Sequence, residues 1–231
     1  MNNEFERIIK SIKRHEMIIY ITGYALVFAS AFITRGYIES LASFLFLSGV
    51  ILNTKRVRAW FIASSLGMLI YSYIAFQNHF YSELLINLLY MLPMQIYGFI
   101  SWGKSKQKHT TFEIISFDFK KMLIIFAVSS VAAALYGFLL TFINNESPYL
   151  CACATVCSAV AVMLAARKAT QQFLFWVGNN VCLVLMWSQQ VLGNISVMSL
   201  VLVNFIFIVT NLLGLHNWLK MQKNMIETNR E

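Results

Sequence analysis

Charge is what this sequence has least of. Only 12% of its 231 residues are Asp, Glu, Lys or Arg, against 58% hydrophobic, and the mean hydropathy is +0.64. A chain of this length with so little polar material cannot cover a soluble globule. Long polar stretches are scarce too: the longest connection between apolar runs, residues 103 to 120, is too polar and too small to hold a core. A single membrane domain over residues 1–231 is the expected organisation. Cysteine is sparse, and Cys151, Cys153, Cys157 and Cys182 all lie in apolar stretches, where a thiol acts as a small packing group. Cys153 and Cys157 share a helix face, yet no His or acidic residue accompanies them. Neither a disulfide framework nor a metal site is expected, and no cofactor is implied. No paired carboxylates, metal-ligand set or Ser, His and Asp combination lies at depth in an apolar run, which argues against an enzyme. Ionisable groups are missing from the depth of the runs altogether: Glu39, Glu83 and Lys220 fall at their ends, and His216 lies near an end beside Trp218. Ion-driven transport usually relies on intramembrane carboxylates or similar relays, so their absence points to passive movement of a solute.

What the chain has in abundance is apolar runs. Eight are read at 17–34, 39–54, 59–77, 82–102, 121–143, 148–166, 172–192 and 196–219, most of them close to the ~20 residues that a helix needs to cross a bilayer. Continuous runs specify helices, whereas barrel strands would alternate over about ten residues. The expected class is therefore an all-α integral membrane protein with eight transmembrane helices. Ser147 before Pro148 predicts a capped helix start, and Pro93 inside the fourth span predicts a kink. The first span follows a basic region, and Ala29-Ser30-Ala31 resembles a cleavage site, but the run continues through Phe32 to Thr34; an uncleaved helix is the preferred reading. Asn145-Glu146-Ser147 and Asn194-Ile195-Ser196 match the glycosylation sequon, a pattern short enough to arise by chance.

The basic residues are segregated. They group as Arg7, Lys10, Lys13 and Arg14; Lys55, Arg56 and Arg58; Lys104, Lys106, Lys108, Lys120 and Lys121; Arg167 and Lys168; and Lys220, Lys223 and Arg230. The alternate connections hold only Arg35, so seventeen of the eighteen Lys and Arg fall on one side. Cytoplasmic loops are the ones enriched in these residues, so both termini are expected in the cytoplasm and residues 144–147 outside. The +8 net charge is explained by this segregation and does not point to nucleic acid.

Sliding the chain along itself by 116 residues superposes Trp60 on Trp176, Tyr71 on Trp187, Gln95 on Asn211, Gly98 on Gly214 and Trp102 on Trp218 without a gap. Four spans separate corresponding helices, an even number, so the halves run in the same direction. The result is a parallel 3+1+3 repeat: an N-terminal amphipathic segment with an extra helix (1–38), a first three-helix repeat (39–102), a linking helix (121–143) and a second repeat (148–219). Parallel repeats are a transporter architecture whose substrate site lies near the midplane between the halves.

The polar groups inside the spans are amides, interleaved with aromatics. Phe173, Trp176, Asn179, Asn180 and Trp187 share a broad face of the seventh span; Asn204 and Asn211 share a stripe of the eighth; Asn87 and Gln95 lie on the fourth. Buried amides need partners, and they find them either by joining helices or by lining a cavity that binds a polar solute. Their repetition on matching faces of both halves favours the cavity. These nine residues are the candidate substrate-binding set. Trp60, Trp102 and Trp218, near the basic ends of their spans, are expected at the membrane interface instead. Aromatic walls with amides and no counter-charge suit a flat ring solute that is neutral or singly cationic.

Tyr97-Gly98-x3-Trp102, Gly214-x3-Trp218 and Phe173-x2-Trp176-x2-Asn179, set in this repeat, resemble the PnuC-type vitamin transporters, the nicotinamide riboside transporter family, over residues 39 to 220. The fold of that family is related to the SWEET sugar transporters. The family pattern in the seventh span is similar to Trp-x2-Trp-x2-Asn/Asp; Trp176 and Asn179 match it, and Phe173 stands where it has Trp. The resemblance implies substrate bound among these residues and the amides of neighbouring helices, and energy-independent uptake of a vitamin with trapping by a cytoplasmic kinase. It implies nicotinamide riboside first and thiamine or another vitamin second, a bacterial inner-membrane location, and a homotrimer. A non-transporting membrane scaffold or receptor, its amides merely locking helices together, is the reading from a different class.

Overall fold

In the computed structural model the chain is described at residue 12 and over residues 14–107, 114–142 and 145–228. Arg7, Lys10, Lys13, Lys108 and Arg230 lie outside the described residues, as does Asn144. The protein is all-helical, and an isolated bridge between Ile115 and Ala169 is the extent of β-pairing among the described residues. In chain order the helices are α1 (Arg14–Thr34), α2 (Tyr37–Thr54), α3 (Trp60–Gln77), α4 in three joined parts (Tyr81–Ile86, Asn87–Met91 and Leu92–Gln107), α5 (Phe119–Thr141), α6 (Pro148–Ala166), α7 (Gln172–Gln190) and α8 (Met198–Thr228). Seven of them are long and apolar enough to cross a membrane. The exception is α7, whose 19 residues include Gln172, Asn179, Asn180, Gln189 and Gln190; it is packed between α6 and α8, where protein takes the place of lipid.

The repeat is visible as reciprocal packing. α2 pairs with α3 as α6 pairs with α7, and the first helix of each half packs on the last helix of the other, α2 on α8 and α6 on α4. Residues 116 apart meet across this interface. The indole Nε1 of Trp187 donates to the Tyr71 hydroxyl at 3.2 Å, with ring centroids 5.8 Å apart, and the Trp102 and Trp218 rings lie 6.5 Å apart. Gly98 and Gly214 each lie against an aromatic ring, Phe61 and Phe173 respectively, so closely that a methyl group would overlap it.

The linking helix α5 packs on α6 and shows most of its surface, while α1 packs on α2 and α8. A buried ion pair the sequence did not reveal holds α1 in place: Glu16, fully buried, accepts from Lys55 Nζ at 2.7 Å and from Asn217 Nδ2 at 2.7 Å. The Tyr24 hydroxyl adds a bond to Ser48 at 2.9 Å.

Two local expectations need correction, and the one at Pro93 gains a detail: the helix just before it is not regular. The carbonyl that Pro93 cannot serve is accommodated by a π-helical turn over Asn87–Met91, closed by the Leu92 N–H bonding back to the Asn87 carbonyl. Ser147 does not cap α6, because its backbone is left-handed (φ 50°, ψ 57°) where a cap requires extended geometry; its hydroxyl donates to Gln189 instead. Trp60, Trp102 and Trp218 are not interfacial. They are 2%, 2% and 0% exposed and form one aromatic core with Phe61 and Phe173, drawn inward because the two halves converge there and need large side chains to fill the space.

Candidate functional site

An internal cavity of about 100 Å³ lies between the halves, walled by α2, α3, α4, α6, α7 and α8. Its polar lining is predominantly amide: Asn53 from α2, Asn87 and Gln95 from α4, Asn179 and Asn180 from α7, Asn204 and Asn211 from α8. Repeat mates recur around it. Trp60 and Trp176, Ser64 and Asn180, Met91 and Phe207, and Gln95 and Asn211 each stand 116 residues apart and all line the same space.

The π-turn explains how α4 presents so many groups to one cavity. Glu83, Asn87, Met91 and Gln95 follow at steps of four, and in a regular α-helix of 3.6 residues per turn each step would rotate the side chain by about 40° in one direction. A π-turn, wider than 3.6 residues, rotates it the opposite way and keeps the four on one line.

Hydrogen bonding separates the two roles open to the amides. Helix-joining amides pair with one another, and Asn53 does so, its Nδ2 donating to Gln172 Oε1 at 3.2 Å. The cavity amides mostly do not. Asn87 Nδ2, Gln95 Oε1, Asn204 Oδ1 and Asn53 Oδ1 are buried and find no partner within the protein, as are the indole nitrogens of Trp60 and Trp176. Asn179 reaches Asn180 only at 3.5 Å. An unsatisfied buried polar group costs ~1–3 kcal/mol, so six such atoms around one space describe a surface built to be completed by something polar.

Of the nine residues expected from sequence, seven line this cavity: Trp176, Asn179, Asn180, Gln95, Asn204, Asn211 and Asn87. Phe173 and Trp187 lie outside it. Phe173 is fully buried between Gly214 and Trp218, at 5.3 Å between ring centroids, and Trp187 is fully buried against Tyr71 and Phe80, at 5.8 and 4.9 Å. Both share the face of α7 that meets the cavity, one beyond each end of it. Sequence reasoning missed Asn53, Trp60, Ser64, Tyr71, Ser158 and Glu83. The repeat register held the signal for Trp60 and Ser64, as mates of Trp176 and Asn180. For Glu83 the signal was its four-residue step to Asn87. Glu83 was expected at a span end and clear of the interior; it is 4% exposed, lines the cavity and accepts from Thr155 Oγ1 at 3.3 Å. The depth of the bundle is therefore not free of carboxylates. His216, by contrast, is exposed and takes no part.

Comparison with known proteins fits this architecture. A family model described as nicotinamide mononucleotide transporter matches residues 36–221. The nicotinamide riboside transporter PnuC of Neisseria mucosa is 23% identical over 213 residues, 90% of this chain and 80% of that protein. Its namesake from Haemophilus influenzae is 23% identical over 156 residues, 66% of each chain. A crystal structure of the vitamin B3 transporter PnuC superposes with a TM-score of 0.80 at 19% identity, covering 95% of this chain and 97% of the other.

Proposed function

Because the chain belongs to the nicotinamide mononucleotide transporter family, we propose that this multi-pass membrane protein carries nicotinamide riboside across the bacterial inner membrane by facilitated diffusion. A cytoplasmic kinase then traps the solute by phosphorylation. The observation that carries this reading is the cavity, where amide and indole groups lacking partners line a space flanked by aromatic rings. A flat heteroaromatic ring bearing a carboxamide and a hydroxylated sugar offers the stacking face, donors and acceptors that such a wall lacks.

The lining also discriminates between the riboside and its phosphate. It contains no Lys, Arg or His and one carboxylate, Glu83, so a dianionic phosphate would meet no positive partner and one negative group. Phe173 does not redirect the choice to another vitamin, since its side chain packs on Gly214 and Trp218 rather than on the cavity. Passive movement is supported by the same inventory, since the lining holds a single carboxylate among amides. On this reading the termini and the basic loops are cytoplasmic.

Uptake of labelled vitamins into liposomes holding the purified protein tests the proposal. Nicotinamide riboside should enter and equilibrate, with thiamine, riboflavin and nicotinamide mononucleotide slower. Failure of nicotinamide riboside to enter faster than into empty liposomes would refute it.

A further inference from the structure

Glu83 has a place in this cavity that neither packing nor orientation explains. It lies on the first turn of α4, 4% exposed, with Thr155 Oγ1 donating to its Oε1 at 3.3 Å and the Tyr71 hydroxyl beside it. The Tyr71 oxygen accepts the Trp187 indole N–H at 3.2 Å; an indole nitrogen only donates, so the Tyr71 proton is left to point at the carboxylate. The Thr155 hydroxyl thus holds the group, the Tyr71 hydroxyl lies beside it, and the residue is part of the cavity wall. Among the described residues no Lys, Arg or His lies within ion-pair distance of it. One turn further along α4, Asn87, 6% exposed, lines the same space and has an Nδ2 without a protein partner. A carboxylate buried away from water is expensive, and the lining holds no cation to offset its charge.

We propose that Glu83 is the charge-selecting residue of the site: its carboxylate is the counter-ion for a solute whose ring carries a permanent positive charge, and Thr155, Tyr71 and Trp187 position it. The inference rests on the vitamin-carrier reading and sharpens it, because the pyridinium ring of nicotinamide riboside is such a cation. Trp60 and Trp176, lining the same cavity, complement the carboxylate, since indole faces attract cations as well.

The test compares two nucleosides of the same shape, nicotinamide riboside and its uncharged carbon isostere benzamide riboside, by calorimetry on the full-length protein in detergent. Wild type should bind the cation roughly 10- to 100-fold more tightly, the scale of a hydrogen-bonded contact to a charged group. Glu83→Gln should lose that factor for the cation and hold the neutral nucleoside within about threefold. A folded Glu83→Gln protein that keeps the wild-type ratio overturns the proposal. Glu83→Asp, with its charge on a shorter arm, serves if the Gln variant does not fold: a ratio between that of wild type and one is expected, and an undiminished ratio overturns the idea. Wild type that binds both nucleosides equally removes the role of Glu83 and leaves the carrier reading standing. Wild type that binds neither removes both.

Discussion

Trp60 and Trp176 allow the contribution of an indole N–H to be separated from that of its ring. They are repeat mates, both line the cavity, and in each Nε1 is buried without a protein partner. Replacement by Phe retains a ring face and deletes the donor. If the indole donates to the bound solute, each Phe variant loses ~0.5–1.5 kcal/mol, or about 2- to 13-fold in Kd. Trp176→Ala removes the ring as well, and a cation over an aromatic face adds ~0.5–2 kcal/mol. The expected total is therefore ~1–3.5 kcal/mol, roughly 5- to 300-fold. Phe173→Ala is the control on the same helix. That side chain fills core outside the cavity, so truncation should cost ~3–5 kcal/mol of stability and leave affinity in the folded fraction unchanged. Calorimetric titration with nicotinamide riboside, run beside thermal unfolding in detergent, reads both quantities. Wild-type affinity in folded Trp176→Ala, or an equal loss of affinity in folded Phe173→Ala, would place the solute elsewhere.

Glu16→Gln removes the carboxylate from a pair whose side chains are 8% and 0% exposed, and breaking one partner of a buried pair costs about 3–5 kcal/mol; the unfolding midpoint should fall, and an unchanged midpoint would show that α1 is held by packing alone. For orientation, a cysteine-free background carrying Leu192→Cys should be labelled from outside the cell and one carrying Arg167→Cys should not, both sites being exposed on opposite connections; Asn145, 6% exposed, is too buried to report. The reverse labelling pattern would invert the topology. Uptake into kinase-free vesicles should stop at the external concentration and be indifferent to an uncoupler. Accumulation that collapses with the proton gradient would instead make Glu83 a coupling group.

Hydropathy and the 116-residue register make the helices and the repeat legible in the sequence itself, because span length and helix order depend on the chain alone. The register also contains Trp60 and Ser64, as the mates of Trp176 and Asn180. Depth is what the periodicity cannot supply. A helical wheel places Phe173, Trp176, Asn180 and Trp187 on one side of α7, yet the cavity is only as tall as Trp176 to Leu183, so the residues beyond each end become core. Glu83 is misplaced by sequence for a related reason. It opens its span, but Phe80, fully buried before it, and the turn at Asn78 and His79 carry the start of α4 inside the bundle. Sequence position then overstates its exposure.

The distribution of charge links topology to the proposed trapping step. Seventeen of eighteen Lys and Arg lie in connections or at the chain ends on one side of the sequence-derived topology, and the cavity lining has none. The segregation that orients the chain goes with a cavity lining that holds no cation. A nucleoside would, on the carrier reading, meet an amide wall with one carboxylate; once phosphorylated, its new phosphate group, with close to two negative charges, would face that carboxylate and find no positive side chain in the lining to offset its desolvation. On the carrier reading, direction needs no energy source within the membrane: the kinase converts a solute the cavity accepts into one it rejects.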